Sequence, residues 1–535
     1  MTEIDEHFKF PSLLENLEVE QLGITNFEQR SLPLGLQKLF IVGCPLKRFS
    51  VDTFPDSFKE LILDGTDLSS SEIRIIKFPP SLVSLLVNNT LLSSLDFVSS
   101  LPGSLEILNL TENSFGRLNE TDEEADTTRS CQIKFPKNLQ EFGIRCSELL
   151  FTLYSPENFV FPPSLVDLDL AGTNLVSIKG LELPPTLNSL SLRNNNLVSV
   201  DGLSLPLALT SLYLSFSKLV SVDGLSLPPT LTIFHLCDNN LELLSRRLPD
   251  SIQSLYLMRN KLSELENFHL LVSCTKFELF SNPLQKLQIS NAYDPDLKLR
   301  EFELSNVIIA TLRDISPLPQ CLTSLNISST EINSLYGILL PVGLISLCVY
   351  LTKITSLENV EFPPYLERLD LLRNQISNLI NVHLPDSLLG LNLDDNKFNS
   401  IDTIQFPPKL KELRFERNAI GAINELQLPE SLKMLSLEDQ TCETLQNNAS
   451  TQRDISENIF LSKENGLSRL TGLTKLPPKL EYLNLGENSL SDQTIQSLES
   501  PASLKILLIE RITFDDNAEW QREFKLAHPR MSIYW

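Results

Sequence analysis

Proline followed by leucines at fixed, unequal intervals returns about every twenty-two residues along this chain. In LPPTLNSLSLRNNNLVSV (183–200), taking Pro184 as position zero, leucines follow at 187, 190 and 192, then Asn195, Leu197 and Val200, and Pro206 starts the next round. The same ruler from Pro363 finds Leu366, Leu369, Leu371, Asn374, Ile376 and Leu379, and from Pro11 it finds Leu14, Leu17, Val19, Leu22, Ile24 and Phe27. Anchors at 11, 33, 55, 79, 102, 136, 162, 184, 206, 228, 249, 271, 296, 319, 341, 363, 385, 407, 429, 477 and 501 give twenty-one repeats, with Leu271 and Asp296 replacing the proline in two. One repeat this short cannot bury its own apolar edge, so the period predicts a solenoid in which each repeat is covered by its neighbours.

Positions six and eight alternate inward in a short strand, and strands of successive repeats stack in parallel about 4.8 Å apart, so the array would trace roughly 100 Å. Proline lacks an N–H and holds φ near −65°, which excludes it from a central strand and suits an extended return path on the outer side. Asparagine at position eleven, as in Asn195, Asn374 and Asn418, can satisfy buried backbone groups where the chain leaves the strand. Thr66, Thr90, Thr173, Thr330 and Thr352 take that place elsewhere and are expected to tie the turn less well.

The string LxxLxLxxNxL, as in LNSLSLRNNNL (187–197) and LERLDLLRNQI (366–376), resembles the leucine-rich repeat superfamily over nearly the whole chain. The twenty-two-residue period with LPP or FPP ahead of the first leucine is similar to the short repeats of bacterial type III effectors, and segments such as SVDGLSLPP to those of phosphatase-1 regulators. The resemblance implies an α/β repeat solenoid, a horseshoe or arc. Its concave face would be a parallel sheet, and its convex face polyproline II or 3-10 segments with little α-helix.

A net charge of −24 opposes wrapping nucleic acid or anionic lipid, both of which need positive charge to displace counterions. The start, MTEIDEHFKFPS, is acidic where a secretory signal is basic and then apolar, so a cytoplasmic or nuclear chain is expected. Eight scattered cysteines never form CxxC, and the five histidines have no HExxH spacing, so no metal, cofactor or disulfide framework is expected. Phosphate-loop motifs are absent too, and the repeats leave no room for a catalytic domain, which argues against an enzyme.

The array is expected to run over residues 1–514, with polar insertions near 119–131 and 446–474 leaving from the return side. Residues 515–535 (DDNAEWQREFKLAHPRMSIYW) then form a cap. In it Asp515 or Asp516 would start a helix reaching Ala527, Pro529 would end that helix, and Trp520, Phe524 and Trp535 would cover the last apolar layer.

What remains for function is the strand surface, where positions five, seven and nine are expected to face outward in columns. Tyr213, His235 and Tyr256 would stand side by side at position seven, with Met258 and Phe280 at position nine, Phe216 at the turn and Tyr350 further along. Exposed aromatic residues in one patch have the composition of a binding hot spot. Arg368, Arg373 and Arg414 stand among carboxylates on later repeats, either as an internal ladder of ion pairs or as a rim that selects a charged partner. The expected function is therefore an intracellular interaction scaffold or regulatory subunit, a monomer that holds a protein partner. The alternatives are a substrate receptor in ubiquitin signalling acting through a separate adaptor, and a host-delivered effector.

Overall fold

The computed structural model describes residues 3–4, 8–115, 132–147, 149–245, 247–440, 467–471, 476–512 and 518–535. The expected insertion at 119–131, residues 446–466 and 472–474 of the second insertion, and the expected helix start at Asp515 or Asp516 lie outside them. The chain divides into a first unit, Met1–Leu262, and a second, Ser263–Trp535. Each is a parallel β-solenoid, and helix is scarce in both.

In the first unit a parallel sheet runs from the strand Asn16–Glu20 to the strand Ser254–Tyr256, one strand per repeat. In the second it runs from Lys276–Glu278 to Ser532–Tyr534. Register never slips along these ladders: Leu168, Leu190, Leu212, Phe234 and Leu255 are successive partners, as are Leu369, Leu391, Leu413 and Leu435. These are the position-six residues and all are buried, as are those at positions three and eight of the same repeats. Each such side chain contributes about 1.5–3 kcal/mol of transfer free energy before entropy is subtracted, so the fold rests on many similar terms.

The prolines do more than mark where strands are not. The anchor carbonyl accepts a hydrogen bond from the amide of the first leucine three residues on, as in Leu187 to Pro184 (3.1 Å), Leu388 to Pro385 (3.0 Å) and Leu366 to Pro363 (3.2 Å). A second proline, as at Pro185, Pro229 and Pro364, then occupies the second position of the turn, where its fixed φ already matches. Position two adds a further tie. Thr186 Oγ1 donates to the carbonyls of Pro163 and Leu165 (2.7 and 2.8 Å), and Ser431 Oγ does the same at Pro408 and Leu410 (2.8 and 2.7 Å).

Position ten is left-handed in every one of the twenty-one repeats, from Gln21 (φ 48°) to Arg511 (φ 58°), and only three of these residues are glycine. The turn it makes delivers position eleven inward. There Asn374 Nδ2 donates to the carbonyls of Val349 and Leu371 (2.7 and 3.0 Å), while its Oδ1 accepts from the amide of Ile354 (3.1 Å). Threonine turns that precede an asparagine repeat are tied by it: Thr173 Oγ1 donates to Asn195 (3.2 Å) and Thr352 Oγ1 to Asn374 (2.5 Å), whereas Thr330 Oγ1 donates to the Ile327 carbonyl of its own repeat (3.0 Å). Thr66 precedes a repeat carrying Thr90 instead of asparagine, and its buried hydroxyl has no hydrogen-bond partner.

The return side is more varied than a run of polyproline and 3-10 segments. Short 3-10 turns occur at Asp96–Ser100, Pro156–Asn158 and Leu312–Ile315. Paired parallel strands also lie there, Asn26–Ser31 with Arg48–Thr53 in the first unit and Glu264–Phe268 with Lys286–Ile289 in the second. Beneath them phenylalanines stack, Phe27 on Phe49 (5.4 Å between ring centroids) and Phe268 on Phe277 (5.4 Å). At the chain end the helix Ala518–Ala527 precedes the strand Ser532–Tyr534, which pairs with Ile506–Leu508. Trp520 meets Trp535 and Phe524 edge-on at 5.4 and 6.2 Å.

Candidate functional site

Strand register sets the geometry of the outward face. Tyr213, His235 and Tyr256 are consecutive partners in the first unit's sheet, so their side chains must rise from neighbouring strands in one row. The His235 ring lies 3.9 Å from that of Tyr256, stacked at 24°, and 4.8 Å from that of Tyr213 at 37°. All three are half-buried, with faces covering one another and edges left to solvent. Stacked rings of this kind hold each other in place, so a partner would meet them with little entropy left to lose.

Phe216 stands beside the row at the left-handed position of its repeat (φ 57°) and is 43% exposed. The Arg193 guanidinium lies 5.9 Å from its ring centroid, a cation–π contact that the sequence reading missed. The signal was present, since Arg193 occupies position nine of the repeat before. Met258 is half-buried next to the ion pair of Arg259 Nε with Asp238 (2.7 Å). Phe280 and Tyr350 belong to the second unit, where both are half-buried.

Position nine does not face outward in general, which corrects the expected surface. Ser215, Cys237, Ser328 and Asp394 are buried there. The physical reason is a hydrogen bond: a polar side chain at position nine can fold back to receive the next repeat's amide. Ser328 Oγ accepts from the amide of Tyr350 (3.0 Å), and Asp394 Oδ1 from that of Glu416 (2.6 Å). Cys237 Sγ instead donates to Ser215 Oγ (3.0 Å), and burial pushes its thiol pKa up, the opposite of what a nucleophile needs.

The charged repeats form a ladder. Asp395 accepts from Arg373 Nε (3.3 Å) on one side and Arg417 Nε (2.8 Å) on the other, all three at position ten. Arg414 projects at position seven among Asp370, Asp394 and Glu416, and its positive charge opposes the burial that raises the first two carboxyls. Arg368 is exposed on its strand. Among the described residues no group of three or more His, Cys, Asp or Glu could hold a metal ion. No helix there is long and apolar enough to cross a membrane.

No protein-family model and no curated protein matches the chain. Solved structures do. YopM from Yersinia enterocolitica is 25% identical, with 82% of this chain and 80% of that one covered and a TM-score of 0.53. YopM from Yersinia pestis is 22% identical (79% and 89% covered, TM-score 0.37), and an internalin from Listeria monocytogenes is 19% identical (68% and 84% covered, TM-score 0.39). A stack of LxxLxLxxNxL strands with an inward asparagine in nine of the repeats, sharing its fold with YopM over four fifths of both chains, has one reading: this chain belongs to the leucine-rich repeat superfamily.

Proposed function

We propose that the chain is a protein-interaction scaffold whose outward sheet face holds a protein partner, with the row Tyr213, His235 and Tyr256 as its anchor. The observation that carries this reading is the stacked row itself, three rigid rings in register on a solvent-facing sheet with Phe216 and Arg193 alongside. Aromatic and arginine side chains held in fixed geometry are the groups that dominate binding energy at protein interfaces. Nothing in the described site brings an acid, a base and a nucleophile together, so binding is the chemistry the face supports.

The test is affinity purification of the wild type beside Tyr213→Ser/Tyr256→Ser, followed by titration with the purified partner. With melting temperatures matched, the dissociation constant is expected to rise at least about thirtyfold in the variant. Equal retention of every captured protein would remove the face from consideration. A second reading is an effector, as YopM of Yersinia pestis is described, since YopM of Yersinia enterocolitica shares this fold. Its partner would be a protein of the recipient cell, which the same titration reads.

A further inference from the structure

A groove of about 510 Å³ opens on the flank of the second unit, ahead of the strands and away from their outward faces. The hydroxyl ladder at position two is interrupted here, on one side of Ser387, whose Oγ still donates to the Leu366 carbonyl (2.7 Å). Gly343 and Tyr365 stand where Thr186 and Ser431 tie other repeats, so one place is empty and the next carries a ring that is 64% exposed. Ile345 and Leu389 give it its apolar floor, with the exposed Glu367 on the repeat between them and Ser387 alongside, and Lys409 closes the far end.

Beyond Lys409 the same flank turns basic. Position four forms a column joined through its backbone: Lys411 N donates to Leu389 O (2.8 Å) and Lys433 N to Lys411 O (2.8 Å), and the column continues through Glu481 to Lys505. Glu481 accepts from both Lys433 and Lys505 (2.8 and 2.5 Å), and these two bonds hold its carboxyl down at about 2. Among the described residues, the exposed ammonium groups of Lys409, Lys411 and Lys479 form no ion pair. In a chain of net charge −24, an apolar socket that ends at the unpaired ammonium groups of Lys409 and Lys411 is a local reversal of sign.

We propose that this flank docks an extended acidic peptide segment of a partner protein, seating one apolar side chain between Tyr365, Ile345 and Leu389 and its carboxylates along Lys409 and Lys411. Charge complementarity selects the acidic strand, and the socket sets its register. Glu367 lines the groove and keeps carboxylates and phosphates alike out of the socket, so the peptide's acidic residues lie beyond it along Lys409 and Lys411; nucleic acid fits less well because it has no aliphatic side chain to seat in the socket.

Random peptides displayed on phage, selected on the full-length protein, test this directly. Two variants locate the binding. Lys409→Glu/Lys411→Glu reverses the charge, and Gly343→Leu fills the socket; a Cβ there meets only the Leu322 carbonyl at 3.9 Å, so the fold tolerates it. Enriched sequences are expected to combine a leucine or an aromatic residue with two or more carboxylates, and to lose binding about tenfold or more on either variant. Their binding should be unchanged in Tyr213→Ser/Tyr256→Ser, which separates this site from the sheet face. The proposal is overturned if no enriched peptide is sensitive to both groove variants, if the sensitive ones are neutral or basic, or if a single-stranded oligonucleotide competes for the groove more strongly than they do.

Discussion

Asp394 shows how a single carboxyl can serve the stack and burden it. It is 4% exposed, and its Oδ1 receives the Glu416 amide. Burial, reinforced by the charge of Glu416 and opposed by Arg414 and Arg417, pushes its pKa from 3.8 up to about 7. The unfolded chain releases this proton near 3.8 and the folded chain near 7, so between those values the folded state binds more protons. Stability from this group is therefore fully present at low pH, falls as pH rises toward 7 and is flat above, by at most about 4 kcal/mol. Asp394→Asn keeps an acceptor for the Glu416 amide and removes the titration. Melting curves between about pH 4 and pH 8 should show the wild type losing stability relative to the variant as pH rises; parallel curves would mean that the carboxyl is already solvated.

The turn leaving each strand is where neighbouring repeats are tied to one another, and its parts were unequally legible in the sequence. Asn374→Ala would strip donors from the Val349 and Leu371 carbonyls and the acceptor from the Ile354 amide, all of them buried. A loss of about 2–4 kcal/mol is expected, read by denaturant unfolding. Thr66→Val, which removes a hydroxyl that has no partner, should be neutral or stabilising. If both substitutions cost the same, the hydrogen-bond account of the turn is wrong. Leucines and asparagines were readable because burial and amide chemistry restrict which residue can stand there. The left-handed position ten was not: Phe216, Leu351 and Arg417 all occupy it, since the flanking repeats impose the conformation at a cost of about 1–2 kcal/mol whichever residue is present. Position nine was misjudged for a related reason. Alternation predicts an outward side chain, and only the unpaired amide of the next repeat reveals why Asp394 and Ser328 turn back. The stacked row of Tyr213, His235 and Tyr256 followed from register alone, whereas the flank groove emerges only from how Gly343, Tyr365, Leu389 and Lys409 come together on neighbouring repeats.

Across the whole chain, charge and local pairing make opposite demands, and salt separates them. A net charge of −24 and a pI near 4.7 mean that folding concentrates negative charge at neutral pH, a long-range repulsion that screening relieves. Arg373–Asp395–Arg417 and Lys433–Glu481–Lys505 pull the other way, and screening weakens them. The lysines and arginines of these ladders are exposed, and surface pairs contribute roughly 0–1 kcal/mol each, so a few ladders cannot balance the repulsion of the full excess. The screening length falls from about 30 Å at 0.01 M to about 10 Å at 0.1 M, which spans several repeats and is longer than any one ion pair. The melting temperature at neutral pH should therefore rise over that range of sodium chloride and level off beyond it. A second signature distinguishes repulsion from a general effect of added solute: the rise should shrink as pH is lowered toward the pI, where the net charge vanishes while the Glu481 carboxyl, held at about 2, stays ionised. A melting temperature that falls with salt at neutral pH would show instead that the ladders, and not the excess charge, set the electrostatics of this stack.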